Sequence, residues 1–202
     1  MTAAFFLLLA YLIGSVSFAI LVSKFFKLSD PRSYGSKNPG ATNVLRSGKK
    51  TAAVLTLLGD SLKGFVVVVA AHFWAYLLVD SGEEFLLIYA AALFVFLGHL
   101  FPIFHRFQGG KGVATAAGIL FALNPYLGLS VLTVWIVIAL VSRYSSLAAI
   151  TAALLLPLLG VYFLSISALP LCLAMTFLLL FKHRLNIARL IKGEETKIGS
   201  KK

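Results

Sequence analysis

Apolar residues run almost unbroken through seven stretches of the chain, near 3–23, 52–79, 85–104, 112–123, 125–142, 146–164 and 167–181. A helix rises about 1.5 Å per residue, so roughly twenty apolar residues cross a hydrocarbon core about 30 Å thick with every backbone group bonded internally. The strict alternation that barrel strands need does not occur. The pattern predicts an all-α polytopic integral membrane protein of seven transmembrane helices forming one domain, residues 1–202, with a short fourth span. Composition agrees: 60% of the 202 residues are hydrophobic, and the mean hydropathy is +0.96, more apolar than a soluble core of this size requires.

Charge fixes the parity and direction of these spans. Seven of the 18 cations lie in 24–50, two in 105–111, one at Arg143 and seven from Lys182 onward, whereas the 80–84 connector Asp-Ser-Gly-Glu-Glu has acids and no bases. With seven spans, every cation-rich connector falls on one side, which the positive-inside rule makes cytoplasmic. The N-terminus is then expected outside and the C-terminus inside. Topology and attraction to anionic lipid headgroups account for much of the +11 net charge, so membrane lipids are expected partners and nucleic acid is not. One cysteine, Cys172, can build neither an intrachain disulfide nor a cysteine metal site. Residues 1–23 lack a basic leader, which favours a retained first helix.

The polar interruptions carry the chemistry. Arg32 to Arg46 is glycine- and proline-punctuated, rich in hydroxyls, amides and cations, and free of acids. It therefore suits an oxygen-rich anion, with Gly35, Ser36, Asn38, Gly40, Thr42 and Asn43 spaced to turn donors inward and Thr42 or Asn43 available to cap a helical turn. Arg106-Phe-Gln-Gly-Gly-Lys-Gly-Val-Ala-Thr115 is a second such segment. Its backbone N–H groups, the helix that follows and the Lys111 ammonium make an anion nest. It is not a nucleotide P-loop, since His105 and Gly112 stand where that motif needs glycine and Ser/Thr.

Other polar positions are open to a bland reading. Gly14-Ser-Val-Ser17 lets a neighbouring helix approach. Asp60 and Lys63, at i, i+3, are either a neutralised pair whose lysine snorkels or support for the site. His72 suits a helix contact. His183, Asn186 and Leu190 share a stripe where the last span ends, and histidine titrates near neutrality. The few carboxylates exclude a two-metal centre and count against a divalent-metal mechanism; no cofactor is implied. A transporter of a phosphorylated solute is the rival reading, but internal repeats and a midplane site are missing from the pattern.

Three of these segments, Ser36-Lys-Asn-Pro-Gly-Ala-Thr-Asn-Val-Leu-Arg46, Gly109-Gly-Lys-Gly-Val-Ala-Thr115 and His183-Arg-Leu-Asn-Ile-Ala-Arg-Leu-Ile-Lys-Gly193, resemble in order the motifs of the bacterial acyl-phosphate:glycerol-3-phosphate acyltransferases. The resemblance spans nearly the whole chain. It implies transfer of a fatty acyl group from acyl phosphate to the sn-1 hydroxyl of glycerol 3-phosphate, giving lysophosphatidate at the bacterial inner membrane, and coupling to an acyl-phosphate-producing enzyme. It further implies that Ser36, Asn38, Thr42 and Arg46 contact substrate, that Gly110, Lys111 and Gly112 cradle phosphate, and that His183 and Asn186 orient the attacking hydroxyl. Ser146 matches a further substrate position. Glu195 fits a glutamate tied to structural integrity, although the chain reads Gly-Glu-Glu where the family pattern suggests Gly-Thr-Glu.

Overall fold

A computed structural model describes residues 3–78 and 84–199. The acidic connector expected at 80–84 falls outside the described residues apart from Glu84, and so do the final residues 200–202. Among the described residues the chain forms nine α-helices: α1 (Ala3–Ser15), α2 (Phe18–Phe25), α3 (Ala41–Leu45), α4 (Lys50–Leu78), α5 (Glu84–Leu100), α6 (Val113–Leu123), α7 (Pro125–Ser142), α8 (Ser145–Phe163) and α9 (Leu169–Ile191). Five long apolar segments can each cross a membrane, and the α1–α2 pair makes a sixth if taken as one bent span. The short fourth stretch is α6, only 11 residues long. The chain packs as two compact units, one reaching Ala122 and the other starting at Leu123.

In the first unit α1 lies directly on α5. A methyl group on Gly14 would run into the Val95 carbonyl, and one on Gly98 would sit 2.8 Å from the Ser15 amide nitrogen. Small residues at both positions let the two backbones touch, the arrangement expected where lipid offers no hydrophobic drive between helices. Tyr11 donates to the Phe101 carbonyl at 2.7 Å, tying α1 to the end of α5. Ser15 Oγ accepts from the Ile103 amide at 3.4 Å, which steadies the 3-10 turn Ile103–His105 that follows. The α6 helix crosses α4 where a methyl on Gly64 would lie 2.6 Å from the Thr115 carbonyl oxygen.

The first span is not one straight helix, as 3–23 predicts, but bends by 43° between α1 and α2. A break frees a backbone carbonyl that lipid cannot satisfy. Lys63 supplies the missing donor, its Nζ lying 2.7 Å from the Val16 oxygen. This lysine does not snorkel. Its side chain is 2% exposed and pairs with Asp60 at 2.9 Å.

Within the second unit, α8 and α9 meet closely enough that a methyl on Gly160 would strike Cys172 Sγ. Thr176 Oγ1 donates across this seam to the Ala153 carbonyl at 2.7 Å. Asn124 caps α7 by accepting from the Tyr126 and Leu127 amides, with Pro125 at the first helical position.

Candidate active site

The loop from Arg32 to Arg46 is shaped from inside by Asn43, which is 2% exposed. Its Nδ2 donates to the carbonyls of Pro31 at 2.6 Å and Tyr34 at 3.2 Å, and its Oδ1 accepts from the Ser36 amide at 3.0 Å. Asn43 and Thr42 lie within α3 and are not its caps; Gly40 stands at the N-cap and no side chain bonds there. Val44 seats α3 in an apolar cluster with Ala19, Ala52 and Ala53. Gly35 takes φ of +57°, and a methyl there would meet Asn43 Oδ1 and come within 3.3 Å of Arg46 Nη1. The Arg46 guanidinium therefore lies over the loop that carries Ser36. Ser36, Thr42 and Arg46 are exposed, and Asn38 is half-buried.

Arg32 is already engaged. Its Nη2 and Nε reach the Asp30 carboxylate at 2.6 and 3.0 Å. This hydrogen-bonded pairing, opposed by partial burial, holds the Asp30 carboxyl below the ordinary carboxylate range and raises Arg32 above its own. The acid-free stretch thus borrows a carboxylate from two residues upstream, and Arg46 is the cation of the loop that packs beside Ser36.

The glycine segment runs along the end of α5 and into α6. The Gly110 amide donates to the His99 carbonyl at 3.2 Å, and a methyl on Gly110 would strike the His99 ring. Gly112 takes φ of +87°, and its carbonyl accepts from the Ala116 amide at 2.7 Å, so that the first turn of α6 starts directly after Gly112. The two expected anion segments meet here: the same methyl on Gly110 would lie 3.0 Å from the Pro39 carbonyl oxygen.

In the second unit His183 and Asn186 are buried on one face of α9, at 3% and 4% exposure. The Leu179 carbonyl lies 2.8 Å from His183 Nδ1. A carbonyl only accepts, so Nδ1 carries the proton and acid–base chemistry of the ring runs through Nε2. Glu195 is the hub beside it: Oε1 accepts from Ser146 Oγ at 2.8 Å and Asn186 Nδ2 at 2.6 Å, and Oε2 accepts from Arg189 Nε at 2.7 Å. Burial opposes ionisation of Glu195, but the hydrogen bonds from Arg189, Ser146 and Asn186 outweigh it and hold the carboxyl below its ordinary range. Of the adjacent glutamates 194 and 195, it is Glu195 that accepts these three bonds.

Ser36, Asn38, Thr42, Arg46, Gly110, Lys111 and Gly112 fall in the first unit, and Ser146, His183 and Asn186 in the second. Sequence reasoning missed His99, which stands within 3.6 Å of Asp60 on one side and against Gly110 on the other. Its position one residue after Gly98, at the end of a span, was the available signal.

The fold and these loops define a helical, multi-spanning membrane protein with a glycine-and-cation cradle. The glycerol-3-phosphate acyltransferase family model matches residues 4–193. A glycerol-3-phosphate acyltransferase of Nitrosomonas europaea is 57% identical over 94% of each chain; that of Nitrosospira multiformis is 55% identical over 100% of this chain and 98% of its own. The crystal structure of PlsY (YgiH), an integral membrane glycerol 3-phosphate acyltransferase, in its glycerol 3-phosphate form superposes with a TM-score of 0.88 at 38% identity, covering 98% of this chain and 96% of that one. Its lysophosphatidic acid form gives 0.87 at 37%. The chain belongs to the glycerol-3-phosphate acyltransferase family.

Proposed function

We propose that this protein transfers a fatty acyl group from acyl phosphate to the sn-1 hydroxyl of glycerol 3-phosphate, producing lysophosphatidate and phosphate for phospholipid synthesis. The observation that carries this reading is the packing of Gly110 against Pro39, which joins two donor-rich, cation-bearing segments into a surface suited to two phosphates. The forms in which the related PlsY was crystallised, with glycerol 3-phosphate and with lysophosphatidic acid, supply the matching substrate and product.

In this reading Ser36, Asn38, Thr42 and Arg46 hold the glycerol phosphate. Gly110, Lys111 and Gly112 hold the phosphate of the acyl donor. The glycerol hydroxyl oxygen attacks the acyl carbonyl carbon, a C–O bond forms, and the bond to the phosphate oxygen breaks with its electron pair leaving on phosphate. Lys111 and backbone amides offset the charge that develops on the carbonyl and leaving oxygens. Asn186, held by Glu195, and His183 orient the hydroxyl, whose proton passes to His183 Nε2 or to a substrate phosphate. Ser146 supports the same group through Glu195. The active site faces the cytoplasm of a bacterial inner membrane, with seven spans, the N-terminus outside and an acyl-phosphate-producing enzyme upstream.

Purified protein supplied with acyl phosphate and glycerol 3-phosphate should release lysophosphatidate and phosphate in equal amounts, and acyl-CoA should not replace the donor. A folded preparation that makes no lysophosphatidate rejects the proposal; product from acyl-CoA alone rejects its donor. His183→Ala and His183→Gln separate the two proton acceptors, because turnover at wild-type levels in both, with substrate binding intact, leaves the substrate phosphate as base.

A further inference from the structure

Asp60, Lys63 and His99 form a buried cluster of ionisable side chains inside the first unit, 2%, 5% and 7% exposed. Ionisable side chains at such depth are costly in a membrane and persist where they hold something. Lys63 holds the α1–α2 break through the Val16 carbonyl at 2.7 Å, which accounts for the Asp60–Lys63 pair at 2.9 Å. It does not account for His99, whose Nδ1 stands 3.6 Å from the same Asp60 oxygen.

The other side of His99 faces the glycine segment. Its backbone carbonyl accepts from the Gly110 amide at 3.2 Å. Its ring closes the space beside Gly110, so that even a methyl group on that residue would collide with Nε2. A methyl on Gly109 would likewise strike the His99 carbonyl and lie 2.7 Å from that of Leu100. The path of the loop before Lys111 is therefore moulded on His99, and Asp60 Oδ1 stands 3.6 Å from the ring nitrogen on the opposite side.

We propose that Asp60 and His99 are positioning residues for the phosphate cradle: Asp60, held by Lys63, orients the His99 ring, and His99, whose carbonyl takes the Gly110 amide, fixes the Gly109–Gly112 backbone so that the Lys111 ammonium and the segment's other amides face one phosphate. The hydrogen-bond partners that orient metal ligands typically matter 10–100-fold, and an effect at the low end of that range is expected for groups that orient a phosphate loop. The identity of that phosphate as the acyl donor's rests on the function proposed above; the positioning itself does not.

Asp60→Asn and His99→Gln keep the size of each side chain and remove its charge or its ring. Each should raise KM for acyl phosphate on the order of tenfold while KM for glycerol 3-phosphate moves by less than about threefold, a split that loss of folded protein alone does not produce. Inorganic phosphate is the probe that does not depend on turnover. It should protect the wild type against thermal unfolding, with Lys111→Ala as the control that assigns the protection to the glycine segment, and the protection should be lost in both variants. Folded variants with unchanged phosphate protection and unchanged KM for acyl phosphate overturn the proposal, as does a wild type that phosphate does not protect. If the wild type is protected but makes no lysophosphatidate, the acyl-transfer reading fails and the protection of the variants still decides the positioning. Should Asp60→Asn not fold, His99→Gln decides alone, since it leaves the Asp60–Lys63 pair in place.

Discussion

Glu195 holds three side chains with two oxygens, and two of the donors, Ser146 and Asn186, are themselves buried. Glu195→Ala would leave those donors without this acceptor, at about 1–3 kcal/mol for each unsatisfied buried group, so its unfolding midpoint should fall and acyl transfer should fall with it. Glu195→Gln retains one acceptor oxygen and should be milder in both measurements. Because the folded carboxyl titrates below its ordinary value of 4.5, its contribution is fully present above about pH 4.5 and is lost as pH falls through the lower folded value. Thermal scans of wild type and Glu195→Gln in detergent should therefore converge below pH 4.5 and separate above it. A wild type whose advantage grew on acidification would contradict the hub. Residue types in the anion segments were legible because glycine, proline and cations announce a shaped loop locally. The partners were not, since Ser146 and Glu195 are 49 positions apart and Asp60 and His99 meet only through helix packing. Asn43 illustrates the limit from the other side: its residue type suits a ligand contact, yet the three bonds of its side chain go to backbone groups of Pro31, Tyr34 and Ser36.

At the scale of elements, the positions of α1 and α5 depend on two glycines facing each other's backbone. Gly98→Ala inserts a methyl where the Tyr11 carbonyl and Ser15 amide already stand, and overpacking of this kind costs about 1–3 kcal/mol. The expected result is a lowered unfolding midpoint in detergent, with the Tyr11–Phe101 tie strained because it crosses the same interface. An unchanged midpoint would mean that the helices part without loss. The small residues of 14–17 were readable as a packing surface, and α5 is the neighbour they serve. The 43° bend was not readable: Ser15, Val16 and Ser17 also suit a continuous helix, and the donor that stabilises the break, Lys63, sits 47 residues away. Lys63→Met keeps an apolar stem of similar length but strips both the Val16 carbonyl and Asp60 of their cation. Breaking one side of a buried pair typically costs about 3–5 kcal/mol, so this variant should accumulate less folded protein than Lys63→Met combined with Asp60→Leu.

For the whole molecule the open quantity is the parity of the spans, and α6 decides it. Its 11 residues rise only about 16 Å as a helix, roughly half of a hydrocarbon core, so length alone assigns it no crossing. Charge does. If α6 turns back, the long segments and the bent α1–α2 pair give six spans, and the two ends of the chain share a side; the seven cations of 24–50 and the seven from Lys182 onward then lie on opposite faces, against the positive-inside rule. If α6 crosses, with the glycine segment and Asn124 completing its span, both clusters face the cytoplasm. Single cysteines distinguish these topologies, and native Cys172 is fully buried, which keeps the background low. In intact cells a membrane-impermeant thiol reagent should label Ser165→Cys and leave Ser33→Cys and Lys192→Cys unlabelled until the membrane is opened. Labelling of Lys192→Cys from outside together with protection of Ser165→Cys would make α6 re-entrant and remove the cytoplasmic C-terminus from the proposed orientation.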